Sequence, residues 1–264
     1  MAHLLIFGLG YTAGRIAAAM RMQGWQVRAT GSAGDLAFAD RAAVLTAVDE
    51  ATHILSSVPP DQTSGADPVL AAYGEALTGK ALFYLSSTGV YGDRQGAWVD
   101  EATPTIAQSG EGRRNARAEA DLAWLNGGAR LFRLPGIYGP GRSALDRVRA
   151  GQARRIDMPG QVFSRAHVDD IASGVVAALV RDAPPGAYNL GDDYPCSGNA
   201  VTEHACRLLG LPLPPLEALG AANLSAMARG FYMENRRVAN GKAKRVLGWQ
   251  PRYPTYMEGL AALL

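Results

Sequence analysis

The sequence predicts a doubly wound α/β fold, in which helices cover both faces of a mostly parallel sheet, followed by a small C-terminal lobe. Two observations support this fold class. Short apolar runs alternate with helical segments up to about residue 190, and a glycine-rich loop separates the first apolar run from the first helix. Beyond residue 190 the alternation stops and prolines become frequent, with Pro212, Pro214 and Pro215 close together. This change predicts a smaller lobe rather than more sheet.

The first three elements form one βαβ unit. Leu4–Phe7 is an apolar run that is too short for a helix and ends at glycines, which is typical of a buried strand. Gly14–Gln23 is rich in good helix formers, and Gly24 follows where a left-handed C-terminal cap is expected. Trp25–Thr30 alternates apolar and polar side chains, which predicts a second strand.

The passage between Thr30 and Thr52 is short for this fold class. It has room for a loop and one helix, at Arg41–Val48, whereas a doubly wound half usually contains a helix, a strand and a second helix there. Either this half of the sheet is truncated or a disordered stretch is missing from the sequence.

The alternation then continues. Strands are predicted at His53–Val58, Ala81–Leu85, Ala129–Leu134 and Gly186–Leu190, and helices at Pro68–Leu77, Arg114–Leu125 and Val168–Val180. We expect residues 1–138 and 163–190 to form the main domain, and residues 139–162 and 191–264 to form the smaller lobe.

Composition and charge disfavour several classes of protein. The chain has 264 residues, 48% of them hydrophobic and 19% charged, as in an ordinary globular protein. Its formal net charge of +2 gives no basic field for a nucleic-acid backbone. No apolar stretch approaches the ~20 residues of a membrane helix and no signal peptide is apparent, so a cytoplasmic location is predicted. Cys196 and Cys206 are expected to be unpaired thiols, and no metal-ligand spacing occurs.

A glycine-rich loop, Gly8-Leu9-Gly10-Tyr11-Thr12-Ala13-Gly14, lies between the first strand and the first helix. Here Gly8 permits a tight turn, Gly10 lets the backbone approach phosphate oxygens, and Gly14 lets helix and strand pack closely. The loop predicts a Rossmann-like dinucleotide site at the helix N-terminus, although an ordinary turn would look similar. The residues expected to contact the cofactor are Gly8, Gly10, Tyr11, Thr12, Gly14, Arg28, Ser32, Ser57, Pro59, Ser86 and Pro135.

The end of the second strand bears on which dinucleotide is bound. An acidic residue there would bond the ribose 2′-hydroxyl of NAD, but the strand ends without one and Asp35 follows later in a loop. Arg28, Thr30 and Ser32 are close by and suit a 2′-phosphate. The sequence therefore favours NADP, with NAD as the alternative, while Arg28 pointing to solvent would fit equally.

Five motifs, in order along the chain, resemble those of a known family. They are Leu85–Gly92 (LSSTGVYG), Arg133–Gly141 (RLPGIYGPG), His167–Ala172 (HVDDIA), Tyr188–Gly191 (YNLG) and Lys242–Pro251 (KAKRVLGWQP). Together they resemble the extended short-chain dehydrogenase/reductases, which include NAD-dependent epimerases and dehydratases of nucleotide sugars. The resemblance spans nearly the whole chain.

The resemblance implies hydride transfer assisted by a tyrosine, a lysine four residues later and a serine or threonine. Ser87 matches the serine position. The tyrosine and lysine would follow about 25 residues further on, yet Gly110–Asp121 contains neither. In this respect the chain resembles atypical bacterial relatives that lack the tyrosine.

Three substitutes for the missing base can be weighed. Tyr91 and Tyr138 can each reach the cleft, although both also suit packing or substrate contact. Arg113 or Arg117 can hold an anionic substrate, but an arginine stays protonated and is a poor base. Ser87 is the best candidate, so the catalytic candidates are Ser87, Tyr91 and Tyr138.

Two functions remain open at this point. The first is an oxidoreductase or epimerase acting on a small polar, sugar-like molecule; the second is a non-catalytic dinucleotide-binding sensor that has lost the tyrosine and lysine. The resemblance also implies a homodimer through the helices predicted at Pro68–Leu77 and Arg114–Leu125.

Overall fold

The computed structural model describes residues 2–61, 63–106 and 113–264. Its central feature is a parallel sheet of six strands. The strands are β1 (His3–Phe7), β2 (Gln26–Ala29), β3 (His53–Ser56), β4 (Ala81–Ser87), β6 (Arg130–Leu134) and β10 (Gly186–Asn189). Their order across the sheet is β10-β6-β4-β3-β1-β2. Because the chain leaves β1 to one side and returns to β3 on the other, a crevice opens at the carboxyl ends of these two strands, where ligands bind in such sheets.

The remaining elements cover the sheet and build the lobe. The helices are α1 (Tyr11–Met22), α2 (Arg41–Glu50), α3 (Pro68–Tyr73), α4 (Arg113–Asn126), α5 (Ala144–Arg149), α6 (Val168–Val180), α7 (Gly198–Leu209), α8 (Ala226–Tyr232), α9 (Gly241–Leu247) and α10 (Tyr256–Ala261). The short strands are β5 (Trp98–Val99), β7 (Gly136–Tyr138), β8 (Arg155–Asp157), β9 (Arg165–His167), β11 (Leu216–Ala218) and β12 (Arg237–Val238), paired as β5 with β12, β7 with β9 and β8 with β11.

The sheet has a hydrophobic core on each face, as the doubly wound prediction requires. On β1, Leu4 and Ile6 join a buried cluster with helices α1 and α6, whereas Leu5 and Phe7 join a second cluster with α2, α3 and α4. This alternation follows from the pleat, which sends successive side chains to opposite faces. Because both faces are covered, β1 consists of apolar residues from position 4 to position 7.

The short passage after β2 is a truncation of the sheet. Residues 30–40, all described, form a loop in which Thr30 and Leu36 make one isolated bridge before α2 begins. α2 then leads directly to β3, so β2 is an edge strand and this half lacks the extra strand. The described chain therefore has a shortened half, with one helix between β2 and β3.

The start of α1 differs from the sequence expectation. The helix begins at Tyr11 with Gly10 as its N-cap, so Gly14 is its fourth residue and not, as the sequence predicted, its first. A Cβ added at Gly14 would meet no atom within 4 Å. The prediction that Gly14 is needed for close packing of helix on strand is therefore wrong.

The lobe has its own hydrophobic cluster. It is built by α5, α7 and α10, with Leu145, Ala205, Cys206 and Leu260 among its buried side chains. Cys196 and Cys206 are both buried free thiols. Within the described parts of the chain, no helix combines the length and the apolar character needed to cross a membrane.

Candidate functional site

One cavity of about 1070 Å³ lies between the carboxyl ends of the sheet strands and the lobe. Its sheet side is formed by the loops after β1, β3, β4 and β6. Its lobe side is formed by residues of α5, α7, α8, β9 and α10. The crevice predicted from the strand order and the surface of the lobe therefore line one cavity.

The glycine loop forms one end of this cavity. Gly8 has φ of 85°, and a Cβ there would lie 3.0 Å from Val58 Cγ2, so only glycine fits. The Gly8 N–H donates to Thr30 Oγ1 (3.1 Å), and the Ser57 hydroxyl donates to the Gly8 carbonyl (2.5 Å). These contacts fix the loop between β2 and β3.

Gly10 marks the place where the loop opens into the cavity. A Cβ built on Gly10 would meet no atom within 4 Å, and this glycine is the N-cap of the 12-residue helix α1. The first N–H groups of a helix lack partners within the helix and carry partial positive charge. The end of the cavity at Gly10 is therefore suited to the pyrophosphate of a dinucleotide.

The structure brings together about half of the predicted cofactor residues. Those that line the cavity are Gly10, Tyr11, Thr12, Ser57, Ser86 and Pro135. Gly8 supports the loop from beneath. Gly14, Arg28, Ser32 and Pro59 are not among the residues that line the cavity.

The surroundings of Arg28 differ from the expectation in one important respect. Asp35 folds back onto the end of β2, where its Oδ1 accepts a hydrogen bond from Ala29 N–H (2.7 Å) and its Oδ2 accepts one from Arg28 Nε (3.0 Å). An acidic group therefore does stand at the end of β2, and it neutralises Arg28. The expectation that this strand end lacks a carboxylate is wrong, because it considered the strand without the loop that returns to it.

Ser87 lies at the end of β4 and lines the middle of the cavity. Its Oγ accepts a hydrogen bond from Gly89 N–H (3.1 Å), which caps the short helical turn that follows. The hydroxyl proton makes no hydrogen bond to the described residues. Ser87 can therefore donate to an oxygen atom placed in the cavity.

Ser86, its neighbour, belongs to a buried polar network. The Ser86 hydroxyl donates to Asp121 Oδ2 (2.5 Å). Asp121 forms a two-point ion pair with Arg133 (2.7 and 3.1 Å), and both side chains are almost fully buried. This network joins β4, β6 and α4 directly beneath the cavity wall.

Tyr91 lies at the far end of this network and does not line the cavity. It is fully buried; its hydroxyl donates to Asn189 Oδ1 (2.8 Å) and accepts from Arg133 Nη1 (3.1 Å). Desolvation raises the pKa of the Tyr91 phenol, against the opposing effect of Arg133. Tyr91 therefore has neither the access nor the pKa of a general base, and the prediction that it is catalytic is wrong.

Tyr138 contributes only the side of its ring to the cavity. Its hydroxyl is buried, makes no hydrogen bond to the described residues and points at helix α10, where a Cβ on Gly259 would collide with it at 1.9 Å. Desolvation and the negative charge of Asp192 raise the pKa of this phenol. The orientation and the pKa both argue against Tyr138 as a base.

The segment where the family tyrosine and lysine are expected is partly outside the described residues, which exclude residues 107–112. From α4 the structure places Arg117 in the cavity wall, on the same side as Ser87. The prediction that Arg117 can hold an anionic substrate is compatible with this position.

His167 is the N-cap of helix α6. Its Nδ1 accepts a hydrogen bond from Asp169 N–H (3.2 Å) at the start of α6. Asp170 accepts hydrogen bonds from Arg252 N–H and Tyr253 N–H, and Asp169 pairs with Arg15. Among the described residues, no group of three or more His, Cys, Asp or Glu side chains is placed to hold a metal.

Sequence reasoning missed the basic character of the lobe side of the cavity. The arginines that line it are Arg142, Arg147, Arg154, Arg165 and Arg236. Arg154 and Arg236 each have an arginine next to them in the sequence, whereas Arg147 and Arg165 do not. Their meeting depends on long-range contacts that no local pattern indicates.

Comparison with solved structures gives a match over the whole chain. A conserved protein of unknown function from Silicibacter pomeroyi is 41% identical, with 100% of this chain and 98% of that chain covered and a TM-score of 0.84. No protein-family model matches the sequence.

More distant structures share the fold over their full length. The human epimerase family protein SDR39U1, solved with NADPH, is 15% identical with a TM-score of 0.76, and covers 99% of this chain and 98% of its own. The dTDP-glucose 4,6-dehydratase of Bacillus anthracis, solved with NAD, is 16% identical with a TM-score of 0.76, and covers 100% of this chain and 95% of its own. The chain shares the Rossmann fold of these epimerase- and dehydratase-like proteins, as the five ordered motifs predict.

Two curated relatives are similar to the chain in sequence. Protein YeeZ of Escherichia coli is 26% identical over 96% of this chain and 97% of its own. The 3-diazoavenalumate denitrifying reductase of a Streptomyces species is 34% identical over 154 residues, or 54% of this chain. That match spans about half (48%) of the reductase.

Proposed function

We propose that the chain is an oxidoreductase that binds NADP, or NAD, along the glycine loop and transfers a hydride to or from a small polar, sugar-like substrate under the lobe. The observation that carries this proposal is the continuous cavity from Gly10, past Ser87, to the lobe. Related folds solved with NADPH and with NAD support the choice of cofactor. The open space at Gly10 and the unpaired N–H groups of α1 fit a pyrophosphate.

Ser87 and Arg117 each have a role in this reaction. The nicotinamide supplies a hydride acceptor or donor for the substrate carbon. Ser87 donates a hydrogen bond to the substrate oxygen, and Arg117 in the same wall contributes positive charge that stabilises this oxygen as its proton leaves to water. In the oxidative direction the substrate carbon loses a hydride, and the substrate hydroxyl loses its proton to solvent.

Titration with NADPH and NADH, followed by nicotinamide fluorescence and thermal shift, tests cofactor binding. Gly10→Asp places a side chain and a negative charge where the pyrophosphate belongs, so we expect it to abolish binding. Gly220→Asp is the matched control, because Gly220 is exposed and likewise has no atom within 4 Å of a built Cβ. Equal binding by wild type and Gly10→Asp, or no binding by wild type, would contradict the proposal.

Ser87→Ala tests the chemistry. Loss of the hydroxyl is expected to lower turnover by roughly a hundredfold while cofactor affinity stays unchanged, because Ser87 contacts the substrate oxygen rather than the pyrophosphate. Turnover is measured on a panel of hydroxy and keto compounds. Unaltered turnover in Ser87→Ala would remove Ser87 from the mechanism.

A second candidate is a non-catalytic dinucleotide sensor. The observation that favours it is the placement of Tyr91 and Tyr138, whose hydroxyls both point away from the cavity. Tight dinucleotide binding without turnover on any compound of the panel would support the sensor and oppose the enzyme. The cytoplasmic location and the homodimer stay predictions; a mass of one chain by light scattering would contradict the dimer.

A further inference from the structure

The lobe end of the cavity carries positive charge that its own carboxylates do not balance. Among the described residues that line the cavity, Glu234 is the single carboxylate, and it pairs with Arg236. Arg154 pairs with Glu217 at 3.3 Å. Arg147 and Arg165 have no ion pair within the described parts of the chain.

Arg165 is held rigidly by neutral groups. Its Nη1 donates to the Phe163 carbonyl and to Cys196 Sγ, both at 3.0 Å, and its Nη2 donates to the carbonyls of Cys196 (3.2 Å) and Ser197 (3.3 Å). Burial raises the pKa of the Cys196 thiol, so the sulfur is an uncharged acceptor. These contacts fix the guanidinium and leave its charge in place.

The acid that faces Arg165 compensates it only in part. The buried carboxyl group of Asp192 interacts with Arg165 electrostatically, but desolvation raises the pKa of Asp192 to about 7. No ion pair joins the two side chains in the described structure. Arg165 therefore lines the cavity with no carboxylate bonded to its guanidinium among the described residues.

Arg147 supplies the free hydrogen-bond donors. It projects from α5 into the cavity, and its guanidinium makes no hydrogen bond to the described residues. Although the side chain contacts the solvent in the cavity, desolvation and then the positive charge of Arg165 lower its pKa. Two like charges facing one wall repel each other, and an anion between them relieves that repulsion.

We propose that Arg147, aided by the fixed charge of Arg165, binds an oxyanion group of the substrate, such as a phosphate or a carboxylate. The planar fork of an arginine matches both groups with two parallel hydrogen bonds. Arg147 and Arg165 belong to elements on the lobe side of the cavity, whereas Gly10 and Ser87 belong to its sheet side. Calling this ligand the substrate rests on the proposed function, whereas the anion site itself does not.

Calorimetric titration with inorganic phosphate, and separately with succinate, tests the site without turnover. We compare wild type with Arg147→Gln and with the control Arg149→Gln, since Arg149 is exposed on the same helix and does not line the cavity. Loss of one charge-assisted pair should weaken anion binding at least about tenfold in Arg147→Gln and less than about twofold in Arg149→Gln. Binding of phosphate but not succinate identifies a phosphorylated ligand, and the reverse identifies a carboxylate.

Gly10→Asp separates this site from the proposed cofactor site. Anion binding retained in Gly10→Asp and lost in Arg147→Gln supports the lobe site, whether or not the dinucleotide binds. Anion binding lost in Gly10→Asp and kept in Arg147→Gln would place the anion at the N-terminus of α1 and overturn the inference. Equal weakening by Arg147→Gln and Arg149→Gln, or absence of binding to wild type, would overturn it as well.

Discussion

Arg28 and Asp35 pair at the end of β2, beside the place where the adenosine ribose of a dinucleotide lies in this fold. Desolvation opposes ionisation of Asp35, but hydrogen bonds from Ala29 N–H and from Arg28 outweigh it and lower the pKa of this carboxyl group. Asp35 is therefore ionised at neutral pH and cancels the charge of Arg28. A 2′-phosphate at this position would therefore meet an arginine, Arg28, whose charge is already paired with Asp35.

Asp35→Asn is expected to shift cofactor preference toward NADPH. Removal of the negative charge frees Arg28 for a 2′-phosphate, so the ratio of NADH to NADPH dissociation constants should rise by roughly threefold to tenfold. Fluorescence titration of both cofactors measures it. Asp49→Asn, an exposed change on α2, is the control, and an unchanged ratio in Asp35→Asn would show that this pair does not face the ribose.

The residues that could be predicted from the sequence are those whose role is local. Gly10 was predicted from the glycine pattern between the first strand and the first helix, and Ser87 from the family resemblance of the motif at the end of β4; both line the cavity. Asp35 was missed because the loop returns it to β2 through a turn at Gly31, whose φ is 111°. Tyr138 was misjudged because a motif places a ring near a cleft without showing where its hydroxyl points.

At the scale of elements, α4 is fastened to the sheet by the buried ion pair of Asp121 and Arg133. Each side chain is exposed by less than 5%, so either charge without its partner would remain desolvated. The pair also receives the Ser86 hydroxyl, and Arg133 lies 5.0 Å from the centroid of the Tyr91 ring. The position of α4 beside Ser86 and Ser87 therefore depends on this contact.

Asp121→Ala is expected to lower the free energy of unfolding by about 3–5 kcal/mol, because it leaves the Arg133 guanidinium buried and unpaired. Urea unfolding followed by circular dichroism measures the loss. Glu119→Ala, an exposed change on the same helix, should stay within about 0.5 kcal/mol of wild type. A loss below about 1 kcal/mol in Asp121→Ala would mean that Arg133 finds another partner.

The sheet elements could be predicted far better than the lobe elements. Buried parallel strands are typically continuous apolar runs, and most of β1 and β4 is of this kind. Helices α5 and α10 have only six residues each, too few for a hydrophobic period to emerge. Their signal was the capping box, Ser143 with Asp146 and Thr255 with Glu258, which the pattern of apolar residues does not reveal.

At the scale of the whole molecule, Asp192 lies where the last sheet strand leads into the lobe. Its side chain is 3% exposed, its Oδ1 accepts from Tyr194 N–H (3.3 Å), and its Oδ2 has no partner among the described residues. Desolvation raises its pKa to about 7 from an ordinary value of 3.8. Because the unfolded chain ionises at the lower pH, protonated Asp192 stabilises the folded state below its ordinary pKa, and this contribution is lost as the pH rises to about 7.

Three histidines titrate in the opposite sense. Desolvation lowers the pKa values of His53, His167 and His204, so their contribution to stability increases as the pH rises through the ordinary histidine value. The total pH dependence of stability is the sum of both effects. The effect of Asp192 must therefore be measured as a difference between wild type and a variant.

Asp192→Asn is expected to be more stable than wild type at pH 8 and to keep only a smaller part of that advantage at pH 5. One unit of pKa corresponds to about 1.4 kcal/mol, so the advantage at pH 8 is on the order of a few kcal/mol. Thermal unfolding of both proteins at the two pH values measures it, with the exposed Asp157→Asn as control. The amide keeps the acceptor for Tyr194 N–H and carries no charge, so the histidines, common to both proteins, cancel in the difference. If the difference in stability between the two proteins is the same at pH 5 and pH 8, Asp192 has its ordinary pKa in the folded protein. The junction between sheet and lobe would then be open to water.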